Sequence, residues 1–442
     1  MKLILTVFFM LSTADLTAAQ KMNILIEPFR NNGNPEYSWI SPGMTETVVA
    51  DFSSINDFKV ISREERERAL EELDLSQTGI IKTDDVAKVG NFLGAHIILS
   101  GSYTVFSDKI RIVAMLTNVE TGQTEKSVKL DGNLRNIFDV QDRIVIGLIN
   151  ETQNIRIKGV KEIKIDKKQV KDIEQKPRPN YNAFEYYARG LEIMDSQPSQ
   201  AFEYFMKAIE LQKDYAEAYK MAGYVQGGLL YNMTDGLTYL LESERLYKKR
   251  NDVSSADYAD LVMLIGGNYY NRKIYDESIL YYDRTLKLYD KLGMQNSYGY
   301  ASTTYGIAAA LEGQGKHSEA MSHYDKADSL YKELKMTNSV AYGHLQYGIA
   351  YVYGQLHDFD RALNYYLKAR EIYEAKGMMS TVIMGNLIYN IAWVYDNKLD
   401  YENAVKYYFE AYECYVRAAY EGEEKKTVYD RGTYLKEYLE NK

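Results

Sequence analysis

Residues of the kinds that carry out catalysis or bind metals are few and widely spaced in this sequence. The five histidines are His96, His317, His323, His344 and His357. No two of them stand three or four residues apart, so none can form the helical ligand pair of a zinc site. Cys414 is the single cysteine, which excludes an intrachain disulfide and a cysteine-based metal cage. We therefore predict a protein that is not an enzyme and that binds no metal or cofactor.

Two further features have a weak chemical signature. The segment Gly313-Gln314-Gly315-Lys316 has the glycines and the lysine of a phosphate-binding loop. It lacks the preceding strand and the Ser or Thr that follows the lysine in such loops, so a turn between two helices is the better interpretation. Cys414 lies in a predicted helix with no histidine beside it, and we interpret it as a packed residue rather than a nucleophile.

Residues suited to binding are abundant, and they are concentrated in one part of the chain. Of the 42 tyrosines, only Tyr37 and Tyr103 precede residue 180. Tyrosine offers a large rigid surface with a polar end, which suits contact with another macromolecule. The same change in composition marks a boundary between two domains.

A repeat of 42 residues positions these tyrosines. A small residue recurs at Ser278, Ala320, Ala362 and Ala404, followed by a tyrosine four residues later and by Thr or Ala seven residues later. These spacings place the three residues on one helix face, where small side chains allow close helix contact. The pattern resembles the second helix of a tetratricopeptide (TPR) repeat. The resemblance implies an all-α TPR solenoid of six repeats over residues 181–420, followed by a capping helix or tail over 421–442.

In TPR proteins the first helix of each repeat lines the concave face, so the resemblance also implies where a partner binds. The candidate partner-binding residues are Met263, Tyr270, Asn271, Tyr305, His344, Tyr347, Tyr351, Gln355, Asn386, Tyr389, Trp393 and Asn397, with Ser302 and Asp396 in the same register. Their rings and side-chain amides suit a protein or peptide partner. The alternative is that individual tyrosines among them only pack between helices.

Residues 20–152 alternate between strand and helix patterns. The predicted strands cover residues 22–28, 58–62, 95–106, 109–119 and 124–130. The predicted helices cover residues 45–55, 63–73, 83–93 and 136–149. Glu120-Thr121-Gly122 predicts a hairpin turn between the last two strands. The order of elements predicts an α+β N-terminal domain with one mixed sheet.

Four short segments of this domain carry a second family resemblance. They are residues 60–63 (VISR), 75–79 (LSQTG), 93–96 (LGAH) and 99–102 (LSGS). Their order and spacing are similar to those of the CsgG family of curli-assembly channels and of the amino-terminal domain of TolB. The resemblance implies an envelope assembly module without an active site. The lipid-anchoring cysteine and the pore-lining hairpins of the channel members are missing, so a pore is not implied.

The glycines of these segments have a structural interpretation and one alternative. Gly79, Gly94 and Gly101 are interpreted as turns and as sites of close packing. The alternative is that residues 76–79 bind a ligand through backbone and hydroxyl groups.

The first nineteen residues have the pattern of a secretory signal peptide. Lys2 supplies the positive start, residues 3–11 form an apolar core, and small residues precede a cleavage position after Ala19. A buried N-terminal strand or helix is the alternative. The signal predicts an exported protein that is periplasmic, with outer-membrane association as a further expectation.

A basic segment over residues 153–180 connects the two domains. Residues 156–180 hold nine Lys or Arg against four Asp or Glu, and Pro177 and Pro179 end the segment. Composition favours a solvated connector. The alternative is peripheral contact of the basic residues with anionic lipid headgroups or with an acidic partner.

Charge and domain order together limit the function. The net charge of −9 argues against nucleic acid as a partner, because phosphate binding needs a basic face. The first hypothesis is a non-enzymatic envelope scaffold whose TPR groove binds a protein or peptide, while the CsgG/TolB-like module mediates assembly or docking. The alternative is an oligomeric subunit of an outer-membrane secretion or assembly channel that self-associates through its N-terminal domain.

Overall fold

The computed structural model describes residues 21–73 and 83–442 of the chain. The predicted signal peptide (1–19) and the candidate ligand-binding residues 76–79 lie outside these ranges. Within them, none of the helices is long and apolar enough to cross a membrane.

A mixed sheet forms the centre of the N-terminal domain. Its strands are β1 (Met22–Ile26), β2 (Arg30–Asn31), β3 (Phe58–Val60), β4 (Ile97–Phe106), β5 (Lys109–Asn118) and β6 (Thr124–Asn133). The order is β3-β1-β4-β5-β6, with β2 also paired to β4. β1 lies parallel to β3 and β4, and β4, β5 and β6 are antiparallel. The predicted mixed sheet is therefore confirmed.

The residue pattern of each strand explains its place in the sheet. β1 (MNILI) is buried along its whole length, as expected for a strand with parallel neighbours on both sides. β5 alternates instead, and Ile110, Ile112, Ala114 and Leu116 point into the core. The turn predicted at residues 120–122 joins β5 to β6, with Gly122 at a φ of +68°.

Four helices cover the sheet, and one of them begins earlier than predicted. They are α1 (Ile40–Ser53), α2 (Arg63–Glu72), α3 (Thr83–Phe92) and α4 (Ile137–Thr152). The predicted helix begins at residue 45, yet α1 already includes Pro42 and Gly43. Proline is tolerated there because the first turn of a helix needs no backbone N–H donor.

The basic segment packs against the N-terminal domain, which corrects its interpretation as a solvated connector. It contains helix α5 (Lys167–Glu174), and Ile163 and Ile173 are buried. Arg178 Nη2 lies 2.7 Å from Asp51 Oδ2 and 2.5 Å from Asp142 Oδ1, and the Asp51 side chain is fully buried. Lys161 and Lys176 also pair with acidic groups of the same domain, Asp57 and Asp51.

Between residues 181 and 417, twelve helices form six antiparallel pairs. They are α6 (Tyr181–Ile193) with α7 (Pro198–Leu211), α8 (Ala216–Tyr224) with α9 (Met233–Lys249), α10 (Ala256–Asn271) with α11 (Tyr275–Leu292), α12 (Tyr298–Gly313) with α13 (His317–Glu333), α14 (Val340–Gln355) with α15 (Phe359–Ala375), and α16 (Val382–Asn397) with α17 (Tyr401–Arg417). A π-helical turn, Val225–Leu229, extends α8. Helix α18 (Glu423–Glu440) packs on α17 and buries Val428 and Leu435. The predicted all-α repeat fold is confirmed.

The repeated small and aromatic residues hold these hairpins together. Ser278 and the three small residues that follow it at intervals of 42 residues are fully buried. The tyrosine four residues after each of them is also buried, with at most 7% of its surface exposed. A Cβ on Gly266 would lie 2.8 Å from the Tyr282 ring, and one on Gly306 would lie 2.7 Å from the same ring. Tyr282 therefore fills the space between its own hairpin and the next. A buried side chain of this size contributes about 1.5–3 kcal/mol.

The N-terminal domain shares its core with the first hairpin. Phe184 on α6 packs against Trp39 and Phe138, with ring centroids 6.2 Å and 4.8 Å apart. A Cβ on Gly43 of α1 would lie only 2.6 Å from the Cβ of Ala188 on α6. The close crossing of the two helices requires glycine at this position.

A second contact joins the N-terminal domain to the solenoid about 100 residues further along. The backbone N–H of Tyr298 donates to Glu65 Oε1 at 3.1 Å, and Lys59 Nζ donates to the carbonyl of Asn296 at 2.6 Å. Arg68 lies over the Tyr298 ring, 5.5 Å from its centroid. These groups belong to the loop between α11 and α12 and to the start of α12, so the solenoid curves around the domain.

Candidate partner-binding groove

The predicted partner-binding residues all lie on the first helices of the last four hairpins. Met263, Tyr270 and Asn271 are on α10, Ser302 and Tyr305 on α12, His344, Tyr347, Tyr351 and Gln355 on α14, and Asn386, Tyr389, Trp393, Asp396 and Asn397 on α16. None of them is fully buried, and Asn271, Gln355 and Asn397 are exposed. The side chains are available on one line of helices, and their role in binding stays a prediction.

One row of tyrosines runs along this line. Tyr305, Tyr347 and Tyr389 follow one another at intervals of 42 residues, and we call them the inner tyrosine row. Each lies against the core tyrosine of its own hairpin, with ring centroids 5.9, 5.7 and 6.1 Å apart. One side of each ring is held by the core while the side chain stays partly exposed. The alternative that these tyrosines only pack between helices therefore accounts for one side of each ring and leaves the other side unexplained.

Neighbouring first helices are also linked by polar contacts within the row. Asn390 Nδ2 on α16 donates to Tyr347 Oη on α14 at 2.6 Å. Trp393 lies edge-on to Phe359, with centroids 6.1 Å apart, and Asn397 Nδ2 donates to the Trp393 carbonyl at 2.8 Å. The rings are therefore fixed before any partner binds, which lowers the entropy lost on binding.

Several of the predicted binding residues, among them His344 and Asn386, are already bonded within their own hairpins. His344 Nδ1 and Tyr373 Oη share a hydrogen bond of 2.5 Å, and Tyr415 Oη donates to Asn386 Oδ1 at 2.6 Å. Tyr289 Oη donates in the same way to Asp260 Oδ1 at 2.7 Å. The polar atoms of His344 and Asn386 thus fasten the second helix to the first.

The hydrogen-bonding tyrosines form a second row that the sequence analysis did not identify. Its members are Tyr289, Tyr331, Tyr373 and Tyr415, which we call the outer tyrosine row. All four are buried to within 1% of complete exclusion from solvent. Their equal spacing of 42 residues was the available signal in the sequence.

The sequence pattern also gave no indication of a carboxylate on α12. Glu312, near the end of α12, accepts a hydrogen bond from Tyr324 Oη at 2.6 Å. Burial raises the pKa of Glu312 to about 7, although the bond from Tyr324 opposes the shift. Asp396 occupies the same position two repeats later, where it accepts from Tyr408 Oη at 3.1 Å and from Arg431 at 2.7 and 2.9 Å.

The features with a possible chemical role can be located in the described part of the chain. Residues 21–73 and 83–442 hold no group of three or more His, Cys, Asp or Glu side chains placed to bind a metal. Cys414 is buried, and burial raises the pKa of its thiol, which disfavours the reactive thiolate. Residues 314–316 form the predicted turn between Gly313, the last residue of α12, and the start of α13, with Gly315 at a φ of +74°.

Comparison with known families places the N-terminal domain. Residues 7–137 match the model of one family. It is described as "Curli production assembly/transport component CsgG". The resemblance to CsgG is confirmed, and the matched region includes the whole sheet. Residues 350–442 match a second family, described as "Uncharacterized protein conserved in bacteria (DUF2225)".

A curated relative matches a similar length of chain. It is "Putative adenylate cyclase 3" of Rhizobium meliloti (strain 1021), 31% identical over 131 residues. The match covers 29% of this chain and 21% of that protein, so this chain spans about a fifth of the relative.

Solved structures similar to this chain include TPR-like repeat proteins. NprR in complex with its cognate peptide NprX is 19% identical, with a TM-score of 0.45, and covers 63% of this chain and 84% of its own. A Rap protein complexed with competence and sporulation factor is 14% identical, with a TM-score of 0.41 and shares of 71% and 89%. A kinesin light chain with TPR-like repeats from Podosopora anserina is 10% identical, with a TM-score of 0.37 and shares of 44% and 95%.

Proposed function

We propose that this protein is a cell-envelope scaffold without catalytic activity. Its groove holds an extended peptide segment of a partner protein, and its CsgG-like domain docks the chain to other envelope components. The inner tyrosine row is the observation that carries the proposal. Tyr305, Tyr347 and Tyr389 repeat at one interval on adjacent helices and stay partly exposed, although each hairpin has already filled its core.

The chemistry of the groove suits a peptide. Rigid aromatic side chains lose little conformational entropy on binding and supply large contact areas. Exposed amides at Asn271, Gln355 and Asn397 can donate to and accept from an extended backbone. A small molecule would need an enclosed cavity, whereas this row runs from hairpin to hairpin along α12, α14 and α16.

Placement in the envelope is supported by the CsgG match at residues 7–137. Export through the predicted signal peptide is part of the same proposal. Sequencing the N-terminus of the chain recovered from a periplasmic extract tests it, with cleavage after Ala19 as the expected result. An uncleaved chain confined to the cytoplasm would contradict it.

Peptide binding is tested with the full described chain, because its N-terminal domain and first hairpin share one core. The chain is used to select from a library of random acetylated octapeptides, and bound peptides are identified by mass spectrometry. Replacing Tyr351 and Trp393 together by alanine should lower the affinity for the selected peptides at least about tenfold. This is the loss typical of two contact residues in an interface.

The matched control is Tyr434→Ala on α18, a tyrosine that is 57% exposed and lies outside the groove. This variant should bind like the original chain. Equal losses for the groove and control variants would place binding elsewhere. If the selection yields no bound peptide, the proposed function is wrong.

Self-association through the N-terminal domain is a prediction of the channel-subunit alternative, and the edge of the sheet argues against it. β6 is an edge of the sheet and in the described chain pairs with β5 alone, while Lys126, Lys129 and Asp131 on it oppose pairing with another edge. We expect a monomer by analytical ultracentrifugation. A ring that inserts into lipid vesicles would instead support the channel-subunit alternative.

A further inference from the structure

Glu312 lies where three successive hairpins meet in the groove. After burial, the charge of Glu312 is the largest cause of the raised pKa values of Tyr270, Tyr324, Tyr347 and Tyr351. These four tyrosines belong to the preceding, the same and the following hairpin. The carboxyl group is therefore hydrogen-bonded to Tyr324 and close enough to tyrosines of the two neighbouring hairpins for its charge to affect them.

The last hairpin shows what this kind of carboxylate accepts. Asp396 has the same position in the repeat as Glu312, and both receive a hydrogen bond from the core tyrosine of the second helix. Asp396 also receives both forks of the Arg431 guanidinium from helix α18. The side chain of Asp396 is 11% exposed and that of Arg431 is 42% exposed, so the carboxylate is shielded from water while the guanidinium is not. Planar guanidinium groups match carboxylates in this two-bond geometry.

Glu312 has the acceptor half of the same arrangement. Tyr324 supplies its hydrogen bond, and no Lys or Arg of residues 21–73 and 83–442 forms an ion pair with it. Tyrosines of three successive hairpins lie within electrostatic range of the carboxyl group, and the face of a tyrosine ring can also stabilise a cation. Glu312 is partly buried, and a carboxylate removed from water without a counter-ion is costly, which favours a ligand that brings one.

We propose that Glu312 is a specificity site for an arginine side chain of the bound peptide, which it receives as Asp396 receives Arg431. This rests on the proposed binding of peptides in the groove. The guanidinium forms two hydrogen bonds with the carboxylate, and the tyrosines enclose its plane. Such charge-assisted bonds correspond to roughly tenfold or more in affinity.

The test compares three pools of acetylated octapeptides that carry arginine, citrulline or lysine at one fixed position and random residues elsewhere. Citrulline has the shape of arginine without its charge. The full chain should retain the arginine pool about tenfold more strongly than the citrulline pool and also more strongly than the lysine pool. This comparison needs no variant, so it does not depend on the folding of an altered chain.

The Glu312→Gln variant then assigns the preference to this residue. The amide keeps the size of the side chain and an acceptor for Tyr324, and the arginine-to-citrulline ratio should fall to about one. Glu319→Gln, an exposed position on α13, is the control and should keep the ratio. An equal ratio in the wild type, a lysine preference, or a preference unchanged in Glu312→Gln would overturn the inference while leaving peptide binding intact. Failure of every pool to bind would overturn the proposed function and this inference with it.

Discussion

Replacing Gly43 by alanine should weaken the contact between the N-terminal domain and the first hairpin. The added Cβ would lie 2.6 Å from the Cβ of Ala188 and 2.8 Å from the ring of Phe184. The first of these atoms is fixed to the backbone, so α1 and α6 must move apart. Overpacking of this kind costs about 1–3 kcal/mol. Alanine returns about 1 kcal/mol through its higher helix propensity, so the net loss of stability is up to about 2 kcal/mol.

Gly147→Ala is the matched control, because it makes the same change within a helix of the same domain. Its Cβ would meet nothing closer than Val128 at 4.0 Å. This variant should gain about 1 kcal/mol from helix propensity alone. The two alanine variants should therefore differ in free energy of unfolding by about 1–3 kcal/mol.

The fluorescence of Trp39 reports the contact directly. Trp39 is 1% exposed and packs against Phe184, and Trp393 is the second of the two tryptophans in the chain. In a Trp393→Phe background, urea unfolding followed by tryptophan emission measures the free energy of this part of the molecule. Equal midpoints for the Gly43 and Gly147 variants would refute the close-crossing argument.

Three further predictions concern buried polar groups. Arg66 and Glu27 form a two-bond pair with side chains 7% and 8% exposed, so Arg66→Leu should lower stability by about 3–5 kcal/mol in a thermal melt, and adding Glu27→Met should recover most of the loss. Burial raises the pKa of Glu312 to about 7, so the folded state prefers the protonated carboxyl. The stability that this preference contributes is present below the pKa of the unfolded chain and is lost as pH rises to about 7. The free energy of unfolding relative to Glu312→Gln should therefore fall from pH 4.5 to 7.5, and a constant difference would contradict this. Tyr415→Phe removes the bond to Asn386 and should cost about 0.5–1.5 kcal/mol in urea unfolding, with no change indicating that the bond has no net value.

Much of the fold was predictable because its determinants are local and repeated. A small residue followed by a tyrosine four residues later specifies how the helices of one hairpin pack. Recurrence of this pair after 42 residues indicates that the following hairpin packs in the same way. In the N-terminal domain, alternation in β5 and the uniform apolar run of β1 identify the sheet. These patterns depend on residues close together in the chain.

Contacts between distant segments could not be predicted in this way. No periodicity connects Trp39 to Phe184, or Arg178 to Asp51, so the shared core and the packed basic segment appear only in the structure. The groove shows the same limit, since the register identifies which side chains face inward but not which are already bonded, as His344 is to Tyr373.

The two contacts of the N-terminal domain determine which part of the solenoid can change its curvature. In a stack of hairpins, each repeat contacts only its neighbours, so a change of curvature is normally spread as small rotations over every junction. Here α6 is fixed by the shared core, and Tyr298 at the start of α12 is fixed by Glu65. The superhelical pitch from the first to the fourth hairpin is therefore set by the domain. We therefore expect changes in curvature to be concentrated in α14–α18, which carry Tyr351 and Trp393, while α12, which carries Glu312, keeps its position against the N-terminal domain.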